Sequence, residues 1–430
     1  MSRDEADPAV APRRAGTVRR LAVRVLVAGL LAAAVAGLAG TARPGMSLAA
    51  LPRPGAGTPV SCDPAALIAA IERANANGGG TLALARDCTY SLAADAGNQF
   101  GLPVIAQPIT LLGNGATIAR AATAPAFGIF GVAFSGDLTL RDLTLTGGST
   151  NSSIQGGAIS MESGAQVTVI HCVLTNNRSP QRGGAIVNTD GVLRVVDSTF
   201  TGNSTGSLGG AIYNTADLTV ENSTLSGNSA GSGGAILTFG VAHLTNTTLR
   251  GNRATVEGGG IAVELTGTST TLDHSTVTGN TSALGGGIFS AAVITLREST
   301  VSGNTASGDG GGIANEGTLV FLRNRITGNT AGGNGGGLLN TDSRANAVVR
   351  DSDVDANRAV GTGSSAGGVA NSGGSLALQR DQVTGNSATT PPGGVSTDNA
   401  AVNVDPGTVI VGNRPTNCAG SAVAVPNCFG

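Results

Sequence analysis

Polar and charged residues recur at one place in ten successive segments of this chain: Asp142, His171, Asp197, Asn222, Asn246, His274, Glu298, Arg323, Asp351 and Arg380. Each stands three residues before an apolar residue, from Leu145, Leu174 and Phe200 through to Val383. From His274 onward the charge sign alternates from one segment to the next. Stacked side by side, such residues form one of two things. One is a solvated charge ladder, worth roughly a few tenths of a kcal/mol per pair. The other is a polar groove for a sugar or a neighbouring cell-surface polymer. His274, Glu298, Arg323, Asp351 and Arg380 are therefore binding candidates.

Asp353 and Asp355 extend that set. Asp351, Asp353 and Asp355 alternate in sequence, so on a strand all three point outward. Calcium needs several converging oxygens, and this triplet could supply some of them. The competing reading is an acidic solvent face that discourages aggregation. A lyase would add an arginine base, for which Arg350 and Arg380 are near. An inverting glycosidase needs two carboxyls ~6.5–9.5 Å apart, a distance that stacked strands offer everywhere. Asn188-Thr-Asp190 and Asn340-Thr-Asp342 fall in a recurrent bend and read as turns. His171 and His274 share a column four segments apart, roughly 19 Å at strand spacing, so they cannot share a metal. Cys172 falls in an inward column with Ser198, Ser223, Ser275, Ser299 and Ser352 and reads as an inert buried thiol. No catalytic residue and no metal-ligand set is assigned.

A repeat must position these residues. A Gly-Gly-Ala-Ile-like tetrad recurs with its apolar member at Ile159, Ile186, Ile212, Ile236, Ile261, Ile288, Ile313, Leu338, Val369 and Val395. The spacing is 24 to 27 residues except for 31 between Leu338 and Val369. An apolar-x-x-Asn motif interleaves with it, as in Phe200-Thr-Gly-Asn203 and Ile326-Thr-Gly-Asn329. Each period holds three short alternating runs, and helical 3.6-residue periodicity is missing. This predicts an all-β fold, a right-handed single-stranded parallel β-helix with three short strands per coil and about 12–13 coils. Glycine serves the bends, and Asn after Gly is expected to tolerate the left-handed region while its amide bonds across coils. A second polar column follows at Asn188, Asn214, Asn315, Asn340 and Asn371.

Solenoid ends need caps. Asp63 is a good N-cap and Pro64 suits the first helical position, so residues 63–77 predict a capping helix with Leu67, Ile68, Ile71 and Ala74 on one face. Of the cysteines, Cys62 with Cys88 and Cys418 with Cys428 suggest one disulfide at each end. Residues 1–42 read as a signal peptide, with a basic start, an apolar run over Val25–Gly40 and small residues at Gly40 and Ala42. The expected order is 1–42 signal, 43–61 linker, 62–147 cap helix and irregular first coils, 148–417 regular repeats, and 418–430 disulfide cap. Without residues 1–42, which hold 6 of the 25 Arg and 3 of the 27 acids, the net charge is −5. A mildly acidic, Lys-free chain argues against nucleic acid as a partner, and against the membrane once the signal is removed.

The GGAI-like and FxxN-like motifs over roughly 156–413 resemble the repeats of polymorphic outer-membrane proteins, a bacterial surface family regarded as adhesins. Cys62-Asp-Pro-Ala-Ala-Leu through Asn75, followed by Gly78-Gly-Gly-Thr81-Leu, resembles the start of many pectate-lyase-like β-helix proteins. The resemblance implies a secreted or cell-wall-associated β-helix, and its superfamily mixes lyases, hydrolases and non-enzymes. The expectation is a non-enzymatic scaffold or adhesin whose partner is an extracellular polysaccharide or cell-surface component. The alternative is a polysaccharide lyase or glycoside hydrolase acting on an acidic polysaccharide, in which calcium would be the cofactor to look for. The irregular coil between Leu338 and Val369 favours the alternative, because loops inserted on one face of a solenoid mark its binding side.

Overall fold

The computed structural model describes residues 57–151, 155–264 and 267–430. The expected signal, 1–42, and most of the linker lie outside the described residues. One piece of the expected linker is structural: Thr58–Val60 is a strand paired in parallel with Leu82–Leu84. The remainder is a parallel β-solenoid. Successive coils stack so that each short strand pairs with its counterpart one coil on.

The coil around Tyr213 illustrates the pattern. Asp217–Glu221 lies in the first sheet, Thr224–Ser226 in the second, Ser229–Ser232 in the third and Ile236–Thr238 in the fourth. Among the described residues these sheets contain 14, 13, 9 and 11 strands. Three of the four follow from sequence alternation. The third, mostly two residues long, is too short to leave a period-2 signal and was not anticipated.

Alternation fixes what points inward. Leu193, Leu218 and Ala242 stack in the first sheet, and Phe200, Leu225 and Leu249 in the second. Ile186, Ile212, Ile236 and Ile261 stack in the fourth. All are essentially buried, and together they make one continuous core. A second apolar strip was missed. Val187, Tyr213, Leu237 and Phe289 point out of the fourth sheet yet are also buried, packed with Leu208, Phe239 and Leu284.

The bends refine the expected role of Asn. Between the second and third sheets it is the glycine that takes positive φ, as at Gly202, Gly227 and Gly279. The Asn that follows is buried and builds a ladder. Asn203 donates to Leu174 O of the previous coil and to Asn228 Oδ1 of the next, and it accepts from the main chain and amide of Asn177. This pattern continues to Asn413. The glycine pair before the fourth sheet meets a different need. A Cβ at Gly286 would press on the Gly311 carbonyl of the next coil.

Both ends are closed as expected. The helix Pro64–Ala76 has Asp63 as N-cap, its side chain accepting from Ala65 N at 3.2 Å. Leu67, Ala70, Ile71 and Ala74 are buried, while Ile68 is only partly so. Disulfides join Cys62 to Cys88 and Cys418 to Cys428.

Candidate functional site

The charged column occupies the bend between the first and second sheets. Every member from Asp142 to Arg380 holds a left-handed backbone, with φ between 49° and 57°. That conformation is costly for His, Glu and Arg, and it turns each side chain away from the core. The residue after it turns inward. Ser198 Oγ accepts from Cys172 N at 3.0 Å and donates to Val196 O at 2.7 Å. The same arrangement recurs at Ser223 and Ser299. The inward hydroxyl thus fixes the bend, leaving the left-handed position free to vary in charge.

Outside the bend the side chains of the column join in short groups across neighbouring coils. His171 lies 3.4 Å from Asp142 and 3.2 Å from Asp197. Asn246 donates to Asn222. His274 Nε2 is 2.8 Å from Glu298 Oε2, and Arg323 donates to Glu298 Oε1 from Nε at 3.0 Å and Nη2 at 2.6 Å. Arg380 grips Asp351 through two bonds of 2.6 and 2.8 Å.

The second sheet adds Arg325, which sequence reasoning missed. Arg325 stands where most other coils carry Thr, and that break in an otherwise Thr-rich outward column was the available signal. It binds both oxygens of Asp355, at 3.0 and 2.9 Å, and Thr327 adds a third bond. Between these pairs runs a shallow groove of about 480 Å³ lined by Glu298, Ser299, Thr300, Arg323, Asn324, Arg325, Asp351 and Asp353. Four predicted residues, Glu298, Arg323, Asp351 and Asp353, therefore meet in one groove. His274 and Arg380 sit at its ends, bonded to groove acids. Asp355 is engaged by Arg325 rather than lining the groove.

The aspartate triplet is arranged differently from the expectation. Only Asp353 and Asp355 share a strand, and Asp351 occupies the bend before it. Asp351 turns to Arg380 of the next coil and Asp355 to Arg325 of the previous one, so their oxygens diverge. Among the described residues no cluster of three or more His, Cys, Asp or Glu is placed to hold a metal. Arg350, a candidate base, donates to Gln379 instead.

These contacts set the protonation. The Arg323 guanidinium holds the Glu298 carboxyl below its usual range, Arg380 does the same to Asp351, and Arg325 to Asp355. In these same coils an inward acid goes the other way. Asp381, next to Arg380, points inward and is fully buried. It accepts from Ser352 N at 2.9 Å and Gln379 N at 2.7 Å, yet burial pushes it up to about 7. Cys172 is the buried free thiol expected, raised to about 11 by burial. Asn188 and Asn340 are rungs of the second polar ladder and Asp190 and Asp342 take positive φ, so both Asn-Thr-Asp segments are turns.

The chain is a right-handed parallel β-helix repeat protein. The family described as right handed beta helix region matches residues 132–282, and the Chlamydia polymorphic membrane protein repeat matches residues 298–316. No curated protein matches the chain. Among solved structures, the A-module of the mannuronan C-5 epimerase AlgE6 of Azotobacter vinelandii is 17% identical, with 80% of this chain and 94% of that one covered and a TM-score of 0.49. The A-module of AlgE4 from the same organism is 14% identical over 81% and 95%, with a TM-score of 0.34. A mutant tailspike protein of E. coli bacteriophage HK620 is 14% identical over 79% and 76%, with a TM-score of 0.30. At these scores the likenesses carry no inference about the activity of this chain.

Proposed function

We propose that this protein is a secreted, non-enzymatic scaffold or adhesin that binds a polysaccharide at the cell surface or in the extracellular matrix. The groove on the second sheet, from His274 to Arg380, is its binding face. One observation carries this reading: the groove acids that face arginine are paired with it and held ionised. A glycosidase needs one carboxyl with a raised pKa to protonate its leaving group. The acid that is raised to about 7, Asp381, is buried beneath the bend and used by the backbone. A lyase would need a free base, whereas Arg325 and Arg380 are each locked onto a carboxylate. Rigid, paired, outward polar groups on a stacked face suit recognition of an extended polar chain. The polymorphic membrane protein repeat and the two disulfides support a surface or extracellular setting.

Purified protein would be presented with pectin, alginate and hyaluronan, reading retention on each polymer together with new double bonds and reducing ends. The expected result is retention on at least one polymer without turnover, abolished in the double variant Arg323→Ala, Arg380→Ala. Turnover of any polymer, or retention unchanged in the double variant, would overturn the proposal.

A further inference from the structure

The corner between the fourth and first sheets breaks the repeat in a second way. In two successive coils it is two residues long, Ala291-Ala292 and then Glu316-Gly317. The coil that follows has a longer corner, 342–345, and Gly267 of the coil before stands on the other side. The step beside these tight corners leaves a notch. Its volume is about 280 Å³ and its lining is Gly267, Ala291, Ala292, Val293, Glu316, Gly317, Thr318, Asp342 and Arg344. The notch lies on a different corner from the charged groove, and nothing in the binding reading above uses it.

The chemistry of the walls narrows the occupant. The floor, Ala291, Ala292 and Gly317, is apolar and flat because the longest of these side chains is a methyl. The rim is polar, with Glu316, the Thr318 hydroxyl, Asp342 and Arg344. Asp342 Oδ1 accepts from the main-chain N of Arg344 at 3.0 Å, which fixes the carboxylate. The Arg344 side chain is 82% exposed and its Nε reaches the same oxygen only at 3.4 Å. At that length the guanidinium keeps donors for another acceptor. Two carboxylates against one guanidinium disfavour an anion, and the apolar floor disfavours a hydrated cation. A volume just under the ~300–1,000 Å³ of drug-sized sites points to something smaller.

We propose that this notch is a binding site for a single neutral hexose unit, with the C–H face of the ring on the Ala291-Ala292-Gly317 floor and its hydroxyls on Glu316, Asp342 and Arg344. Planar carboxylate and guanidinium groups can each meet two adjacent hydroxyls, and the methyl floor takes the place of the aromatic platform that this Trp-free chain lacks. The site is a consequence of register: the two additional residues of the 342–345 corner raise one wall, while the floor stays at repeat level.

Saturation-transfer NMR on the full chain would be run with free glucose, galactose, mannose and N-acetylglucosamine. Transfer is expected to at least one of them. Val293→Trp, which places an indole across an exposed edge of the notch, and Arg344→Ala should each weaken that binding at least tenfold, with circular dichroism confirming the fold. The groove variant Arg323→Ala, Arg380→Ala should retain it, so the two sites are tested separately. No transfer from any of the four sugars, transfer that survives Val293→Trp, or loss in the groove variant would overturn the proposal.

Discussion

Replacing Asn280 by Ala tests whether the buried amide ladder holds the solenoid together. Asn280 Oδ1 accepts from Asn252 N at 2.8 Å and from Asn252 Nδ2 at 3.0 Å, while its own Nδ2 donates to Leu249 O and Asn304 Oδ1, both at 3.0 Å. Truncation removes all four bonds. The Asn252 main-chain N–H is left buried without its acceptor, which costs roughly 1–3 kcal/mol. The three other bonds contribute about 0.5–1.5 kcal/mol each. The sum is about 2.5–7.5 kcal/mol, large for a single polar substitution. Equilibrium urea unfolding followed by circular dichroism measures it, with Ser226→Ala as the control. Ser226 also makes a cross-coil contact, to Thr201 at 3.1 Å, but on the outer face, and its loss should stay within about 0.5 kcal/mol. A loss below about 1 kcal/mol for Asn280→Ala would refute the idea that the ladder is a principal clamp.

Other outcomes follow from single residues. Asp381 has a folded pKa of about 7 against an ordinary 3.8. Between those values the unfolded chain releases a proton that the folded chain keeps, so stability falls as pH rises through that window, by roughly up to 4 kcal/mol. Asp381→Asn should therefore be more stable than the parent above pH 7, the difference closing toward pH 4; parallel urea-unfolding profiles across that range would contradict this. Glu298 holds φ 49°, so Glu298→Val should cost about 1–2 kcal/mol in thermal unfolding through the left-handed backbone, whereas Glu298→Asn should be neutral or better. Cys172, buried and raised to about 11, should resist iodoacetamide in the folded protein and take one equivalent after unfolding, as mass spectrometry would record.

What could be read from the sequence was whatever repeats. Ile212, Leu218 and Leu225 each announce a strand because their counterparts recur about 25 residues apart. The cap helix was legible from Asp63-Pro64 and the disulfides from their positions. What escaped was whatever repetition leaves ambiguous. The third sheet is too short to show alternation. The outer burial of Tyr213 and Phe289 depends on neighbouring loops rather than on strand period. The charged column was visible, but its left-handed backbone was not, because His, Glu and Arg give no hint of positive φ. Asp381 was missed for a related reason: in a column of Ser, Thr and Asn it has the right size and hydrogen-bonding capacity, and only burial separates it from an ordinary surface acid.

The same physics explains where function can arise on such a fold. Inside, every rung is constrained on both sides by the next coil, as the Asn and Ser ladders show, so a change is felt along the column. Outside, a left-handed bend or a corner is constrained only by its own coil. Arg325 could replace an outward Thr, and Asp342–Ala345 could lengthen a corner, without disturbing Ile313, Leu338 or the amide ladder beneath. Both departures fall within three consecutive coils, those of Val301, Ile326 and Val354. One supplies paired charges on the second sheet and the other supplies a walled notch at the fourth-to-first corner. A solenoid gains binding chemistry at low structural cost in this way, by editing bends and leaving the rungs alone. The coils that carry both edits are therefore where ligand contact should concentrate, and the groove and notch variants separate their contributions.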